Sequence, residues 1–517
     1  MKFLTFSFLF FSFFHLSFSQ NIPKNFSLGE KNTLKKNTDI SPASNSITNM
    51  AIKGDTIWLG GDKGLSRSLD GGRTWKNYYN TPAFGTEDIS AIAVYKNEVW
   101  IATAHSVEIN GEVFPEGRGL KYSIDGGETW EIIPQPIDKQ NIDTLYYNEK
   151  SFIRSLGVTT TVNNITYDIA INDSAVWITS FAGMFRKSID KGKIWQKVII
   201  PPDNLNSISL TDSLVFDVSP VGGSLGLQNN LNHRVFSVFV EDNDTLWVGT
   251  AGGINKSTDG GKSWKKFNHL NQSSSISGNF VRGINKQWSN GKQILWAATK
   301  DATSGEQQGV SFSEDGGENW KTTLLGESIY NISFKDSIVY AVGDNGIFRS
   351  TNWGISWTSP QSIVDNITNA PYTKPDFYAV ANQKDTIWFG GADGTAITID
   401  NAENSFGSSW KILRVSKPLS SLQETYAYPN PFSPDDEVVR FHYALQENST
   451  ITIRIFDFGM NLVRTLVKDV LRKGPAERDE IWDGKNDNKQ FVSNGVYFYQ
   501  ITGSNEKPIW GKILVVQ

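Results

Sequence analysis

Ser68-Leu69-Asp70-Gly71-Gly72-Arg73-Thr74-Trp75 reads as a hairpin turn with its own anchor. The Asp carboxylate can accept hydrogen bonds from backbone N–H groups just downstream. Two glycines supply backbone angles that a Cβ would forbid. Thr74 favours a strand, and Trp75 is a large apolar anchor able to wedge between neighbouring units. The phrase returns at Ser123 to Trp130, Ser188 to Trp195, Ser257 to Trp264 and Ser313 to Trp320. Two worn copies follow, Ser350 to Trp357 and Thr398 to Trp410. The Asp place is held by Asp70, Asp125, Asp190, Asp259, Asp315, Asn352 and Asp400. The Trp place is held by Trp75, Trp130, Trp195, Trp264, Trp320, Trp357 and Trp410. Every motif residue has a structural task, so the turn is read as a folding device and not as an active site.

A second phrase precedes each turn. It runs Asp55-Thr56-Ile57-Trp58-Leu59-Gly60-Gly61 in the first unit and Asp385 to Gly391 in the last. These apolar, β-branched and aromatic runs bounded by turn residues read as buried strands. One more candidate strand lies ahead of each, as at Ile47 to Lys53 and Val235 to Val240. Four strands per unit and seven units predict an all-β fold, a seven-bladed β-propeller over residues 47–415.

The turn resembles the Asp box, or BNR repeat, of sialidases, sortilin-type receptors, xyloglucan-cleaving glycosidases and photosystem II assembly factors. In those families it joins the third and fourth strands of a propeller blade. The resemblance implies the fold without naming a substrate.

The Asp places stand 37 to 69 residues apart, whereas a bare four-strand blade takes about 40 to 50. The surplus falls in 104–117, 134–163, 201–232, 300–308 and 360–376. In a propeller these connections emerge on one face, so they are expected to build one rim, and that rim is the expected binding face.

Residues 1–19 read as a secretory signal peptide: Lys2, then an apolar run to Phe18, with Ser17 and Ser19 placing the cut before Gln20. Residues 20–46 read as a polar N-terminal arm and 416–426 as a linker. From 427 to 517 the texture changes to an alternating strand pattern, predicting a small Ig-like β-sandwich. Tyr428-Pro429-Asn430-Pro431-Phe432-Ser433-Pro434, the Trp482 to Asp487 turn, Gly495 to Ile501 and the terminal Lys512 to Val516 carry a resemblance to the Ig-like domain of the flagellar hook-capping protein. They also resemble the C-terminal signal of type IX secretion. That likeness implies a sorting or attachment module, secretion machinery as a partner, and a secreted or cell-surface location.

The formal charge of −5, with no basic stripe, argues against nucleic acid as a partner. The chain has no cysteine, which removes disulfides, thiol catalysis and Cys-ligated zinc. The five histidines are isolated, so no metal site is expected, and no cofactor motif appears. No other stretch is apolar enough to span a bilayer as a helix.

Sialidase chemistry is disfavoured. Those enzymes are six-bladed and carry a Phe/Tyr-Arg-Ile-Pro segment near the propeller start, where this chain offers only Phe152-Ile153-Arg154-Ser155. A glycosidase on another pattern needs two carboxyls about 5 to 9.5 Å apart. Asp88 and Asp168 on inner strands are the catalytic candidates, with Arg234 and Arg282 as ligand contacts and His233 near the expected channel mouth. Three readings result. The first is an exported, non-catalytic binder of an extracellular glycan or protein. The second is a polysaccharide-cleaving glycoside hydrolase. The third is an assembly or stability factor for a membrane complex, which export past the outer membrane would disfavour.

Overall fold

A computed structural model describes residues 41–517, apart from 224, 416–418, 420, 436 and 505–506. The expected signal peptide, and the expected arm up to residue 40, lie outside the described residues. The protein is an all-β propeller, and the described residues contain no α-helix. Blade 1 runs inner to outer as Ile47–Lys53, Thr56–Gly61, Gly64–Ser68 and Lys76–Asn77. The inner strands of blades 2 to 7 are Asp88–Tyr95, Thr166–Ile171, Val235–Val240, Phe280–Ser289, Ile329–Lys335 and Phe377–Gln383. Each opens an antiparallel sheet in chain order, and blade 6 ends in a bridge between Arg349 and Thr358 in place of a full outer strand.

Every blade is made from one contiguous stretch, so no strand is exchanged to close the ring. The inner strand of blade 7 packs on that of blade 1, and Trp75 shares a core with Trp388, Ile397 and Leu413. Asn45 completes the seam: its carbonyl accepts from Gly394 N and its Oδ1 accepts from Val415 N at 2.7 Å. Residues 41–46 are therefore tied to the propeller, where a polar arm was expected. Ala43 N also donates to Ser66 Oγ at 2.9 Å.

The repeated turn works as its chemistry dictates, with the leading serine as an added part. Ser68 Oγ accepts from Gly72 N and donates to Asp70 Oδ1, both at 2.8 Å. Asp70 accepts from Arg73 N, Thr74 N and Thr74 Oγ1. The second glycine then lies against the indole of the preceding blade. Gly72 meets Trp388, Gly127 meets Trp58, Gly261 meets Trp177 and Gly354 meets Trp296. The turn of one blade thus keys into the second strand of its neighbour.

Blade 7 departs from the pattern. Asp400 accepts from Arg349 Nε and Nη2 at 2.6 and 2.8 Å and from the Tyr340 hydroxyl, all in blade 6. Its own longer turn is held by Thr398 Oγ1, which accepts from Gly407 N and donates to the Ser409 carbonyl. Tyr340 stands where other blades carry the tryptophan, and its hydroxyl offers the carboxylate a partner across the seam.

Two of the long connections, 134–163 and 201–232, are packed onto the propeller. Ile142–Leu145 and Ile153–Leu156, between blades 2 and 3, form a small sheet with Asp217–Val218, between blades 3 and 4. Arg154 clasps Asp217 with two bonds, at 2.9 and 2.8 Å. Ile153, Val158, Ile208, Phe216 and Val218 join the core of blades 3 and 4. A second piece, Ser207–Ile208, caps the outer edge of blade 4. Such covering protects an otherwise exposed strand edge.

The C-terminal region is a two-sheet sandwich. Thr425–Tyr428, Val439–Leu445 and Ala476–Trp482 form one sheet. Leu462–Arg472, Ser449–Phe456, Gly495–Thr502 and Ile509–Val515 form the other. The first strand begins inside the expected linker, ahead of the Pro-rich segment. That segment instead lines the last strand: Phe432 N donates to Leu514 O, and Val516 N to Phe432 O. The sandwich is bolted to the propeller. Arg440 Nη2 meets Asp393 at 2.7 Å, Asp393 also holds Arg414, and Arg478 Nη1 donates to the Thr368 carbonyl in the 360–376 connection.

Candidate functional site

All seven inner strands carry a β-bulge at the same place, near the end that receives the long connections. The extra residues are Thr48, Ser90, Tyr167, Phe236, Arg282, Tyr330 and Tyr378. A bulge leaves one residue outside the ladder and re-aims its side chain. Here the re-aimed residues meet around the mouth of the central channel. Tyr167 lies 5.2 Å from Phe236, Phe236 lies 4.4 Å from Phe280, and Tyr330 lies 5.5 Å from Tyr378. Arg282 joins the two groups, 4.8 Å from Tyr330 and 5.9 Å from Phe280. Aromatic and guanidinium faces attract at such separations. The result is an arc across blades 3 to 7, two groups of rings bridged by one guanidinium. Burial drives the Tyr330 hydroxyl up to about 12, with Asp344 adding to the effect, so it remains a neutral donor at physiological pH.

Arg282 and Arg234 both belong to this arc. Arg282 Nη1 donates to Ser328 Oγ at 3.0 Å. Arg234 sits 5.3 Å from Phe181, with Nε donating to the Pro220 carbonyl and Nη2 to Asn229 Oδ1. His233 does not reach the mouth, a correction to its expected position. It is buried, stacks on Phe216, accepts from Ser219 N at Nδ1 and donates from Nε2 to the Ile200 carbonyl. Burial lowers its pKa to about 4, so it is a neutral packing residue under the 201–232 connection.

The structure gives Asp88 and Asp168 different environments. Asp168 staples blade 3 to blade 4: its carboxylate accepts from Ile169 N at 2.8 Å and from Val238 N at 2.9 Å. Burial holds its pKa up at about 7 against those two bonds. Its tasks match those of Asn49, Ser237 and Asn285, which bond to carbonyls of the next inner strand. Asp88 begins the inner strand of blade 2. Burial raises it to about 7, helped by the charges of Asp62 and Glu87. Glu87 in turn meets His105 Nδ1 at 2.9 Å and Arg118 Nε at 3.2 Å, while His105 Nε2 meets Glu116 at 2.6 Å. The bulge positions are therefore lopsided in their rings: blades 3, 4, 6 and 7 carry aromatics and blade 5 carries Arg282, with Asp344 close to Arg282 and Tyr330, whereas blades 1 and 2 carry Thr48 and Ser90.

The bulge residues were not legible in the sequence, because they differ from blade to blade. The available signal was positional: each follows a buried residue at the first or second place of an inner strand, as Phe236 follows Val235 and Arg282 follows Val281.

No family model matches the chain. The probable oligoxyloglucan-reducing end-specific xyloglucanase of Neosartorya fischeri is 26% identical over 260 residues, covering 47% of this chain. The match spans 29% of that relative's length. Among solved structures, YCF48 bound to a D1 peptide is 16% identical with a TM-score of 0.41, covering 71% of this chain and 98% of that one. PorZ, a bacterial surface component of the type IX secretion system of Porphyromonas gingivalis, is 13% identical with a TM-score of 0.29, covering 91% and 75%.

Proposed function

We propose that the protein is an exported propeller that binds a glycan or a protein without catalysis, and that the channel mouth is its binding surface. The observation that carries this reading is the aromatic and guanidinium arc built by one bulge per inner strand. Rigid rings offer large contact area at low entropic cost, and two guanidiniums give polar direction. Two of the long connections first expected to form the binding face, 134–163 and 201–232, are used in packing. Export is supported by the signal-like first 19 residues and by the resemblance of residues 427–517 to sorting modules. Among the described residues no helix is long and apolar enough to cross a membrane.

A glycan and peptide array probed with the full chain, run beside a hydrolysis assay on the same polysaccharides, tests the reading. Saturable binding without released sugar is the expected result. Release of sugar would replace it with the hydrolase reading. That second reading has one observation in its favour: Asp88 holds its proton to about 7 beside Asp62 and Glu87, a state suited to a general acid. Under it, Asp88→Asn abolishes hydrolysis; under the binding reading it leaves arc-dependent binding intact.

A further inference from the structure

The arc has a chemistry that narrows its ligand. We propose, resting on the binding reading above, that it takes an acidic polysaccharide, one whose sugar rings carry carboxylates. Three features lead there. The bulges interrupt the inner edge of every blade at the mouth. An extended peptide docking by strand addition needs an unbroken edge of N–H and C=O groups, and the bulged edges do not offer one. What the mouth presents instead is side chains, and mostly flat ones.

Phe236 against Phe280 at 4.4 Å and Tyr330 beside Tyr378 at 5.5 Å form two ring clusters, each able to pack the apolar C–H face of a pyranose. Arg282 lies between those clusters, and Arg234 borders the first through Phe181, which lies 6.5 Å from Phe236. A planar guanidinium matches a carboxylate in a two-point grip that an ammonium does not reproduce. Ser328 orients Arg282, and the Pro220 carbonyl with Asn229 orients Arg234. The alternation ring, cation, ring suits a repeating chain in which sugar faces and carboxylates alternate.

The test is titration calorimetry on the full chain with three probes: oligomers of polygalacturonate, the same oligomers with their carboxyls reduced to alcohols, and dextran sulfate oligomers. The expected result is saturable binding of polygalacturonate that weakens with added salt, little binding of the reduced oligomers, and weaker binding of the sulfated ones. Arg282→Gln should lower polygalacturonate affinity about tenfold, the size of one lost charge-assisted hydrogen bond. Arg282→Lys should recover part of that loss, which a folding defect would not allow. Phe236→Ala should weaken binding as well. Equal binding of acidic and reduced oligomers, tighter binding of the sulfated ones, or indifference to Arg282→Gln would overturn the acidic-polysaccharide assignment. Those results would leave the broader binding reading standing. Failure of every glycan and peptide to bind the full chain would overturn both.

Discussion

Asp315 shows how much one turn carboxylate contributes. It accepts from Glu318 N at 3.0 Å and from Asn319 N at 2.9 Å, and meets Ser313 Oγ and Asn319 Nδ2 at 2.8 Å. Burial alone would raise its pKa, but the bonds from Asn319, Ser313 and Glu318 prevail and lower it to about 2. A folded value below the unfolded one means the stability it supplies is present above pH 3.8 and fades as pH falls toward about 2. Asp315→Ala should cost about 1–2 kcal/mol of stability near neutral pH, the range for an orphaned hydrogen-bond partner discounted for exposure. The loss should shrink in acid. Asp315→Asn should cost less, because Asn352 already does the same work in blade 6, accepting from Ser356 N at 2.9 Å. Urea unfolding midpoints of the three proteins at pH 7 and pH 3 check this; an Ala variant as stable as the parent at pH 7 would count against it. Asp88 has the opposite sign. Its folded pKa, about 7, lies above the unfolded 3.8, so ionising it across that window costs stability. Asp88→Asn should therefore raise the midpoint at pH 8 and leave it nearly unchanged at pH 4. A gain at both pH values, or at neither, would show that burial and its carboxylate neighbours do not set the effect.

The blade is the element whose logic was most legible in the sequence. Seven turns and seven apolar phrases repeat because each blade solves the same packing problem, so they self-identify in a single chain. The serine that opens six of the seven turns was visible but its bond to the following glycine N–H was not, since nothing in the spacing distinguishes it from other strand-end serines. Inner strands were harder. Their bulge residues share no single packing task from blade to blade, so they vary: Thr48 and Ser90 on one side, Phe236 and Tyr330 on the other. Asp168 read as a catalytic candidate because an inner-strand carboxylate has no obvious partner in sequence; its partner is a backbone N–H seventy residues away. The keying of turn to neighbour makes a sharp comparison between adjacent glycines. Gly126 and Gly127 both have positive φ, at 70° and 90°. A Cβ on Gly126 meets nothing within 4 Å, whereas one on Gly127 falls 2.5 Å from Trp58. Gly126→Ala should cost about 1–2 kcal/mol for the left-handed backbone alone. Gly127→Ala should cost about 1–3 kcal/mol more, because a buried indole must move. Thermal midpoints of the two variants decide the point, and equal losses would mean the turn does not key into the neighbouring blade.

At the scale of the whole molecule, the question is whether propeller and sandwich behave as one body. Their junction contains a buried carboxylate between two cations. Burial would raise Asp393, but Arg440 and Arg414 outweigh it and hold the carboxyl below its usual range. Only Arg440 comes from the sandwich; Arg414 belongs to the end of the propeller. Removing one partner of a buried pair costs about 3–5 kcal/mol when the other is left uncompensated. Here Arg414 still compensates Asp393 after Arg440→Ala, at 3.1 and 3.0 Å. The propeller side is thus self-sufficient, while the coupling between the two bodies rests on Arg440 and on Arg478 reaching the Thr368 carbonyl. It follows that the parent protein should melt in one calorimetric transition near neutral pH, and that the Arg440→Ala, Arg478→Ala double variant should melt in two, with the propeller transition close to its original temperature. Acid should mimic the variant. Because the Asp393 value is depressed, its contribution holds above pH 3.8 and is lost as pH falls below it, so the parent's single transition should split there. Two transitions already present in the parent at pH 7 would show that the sandwich is a passive passenger. One transition in the double variant would place the coupling elsewhere along the junction.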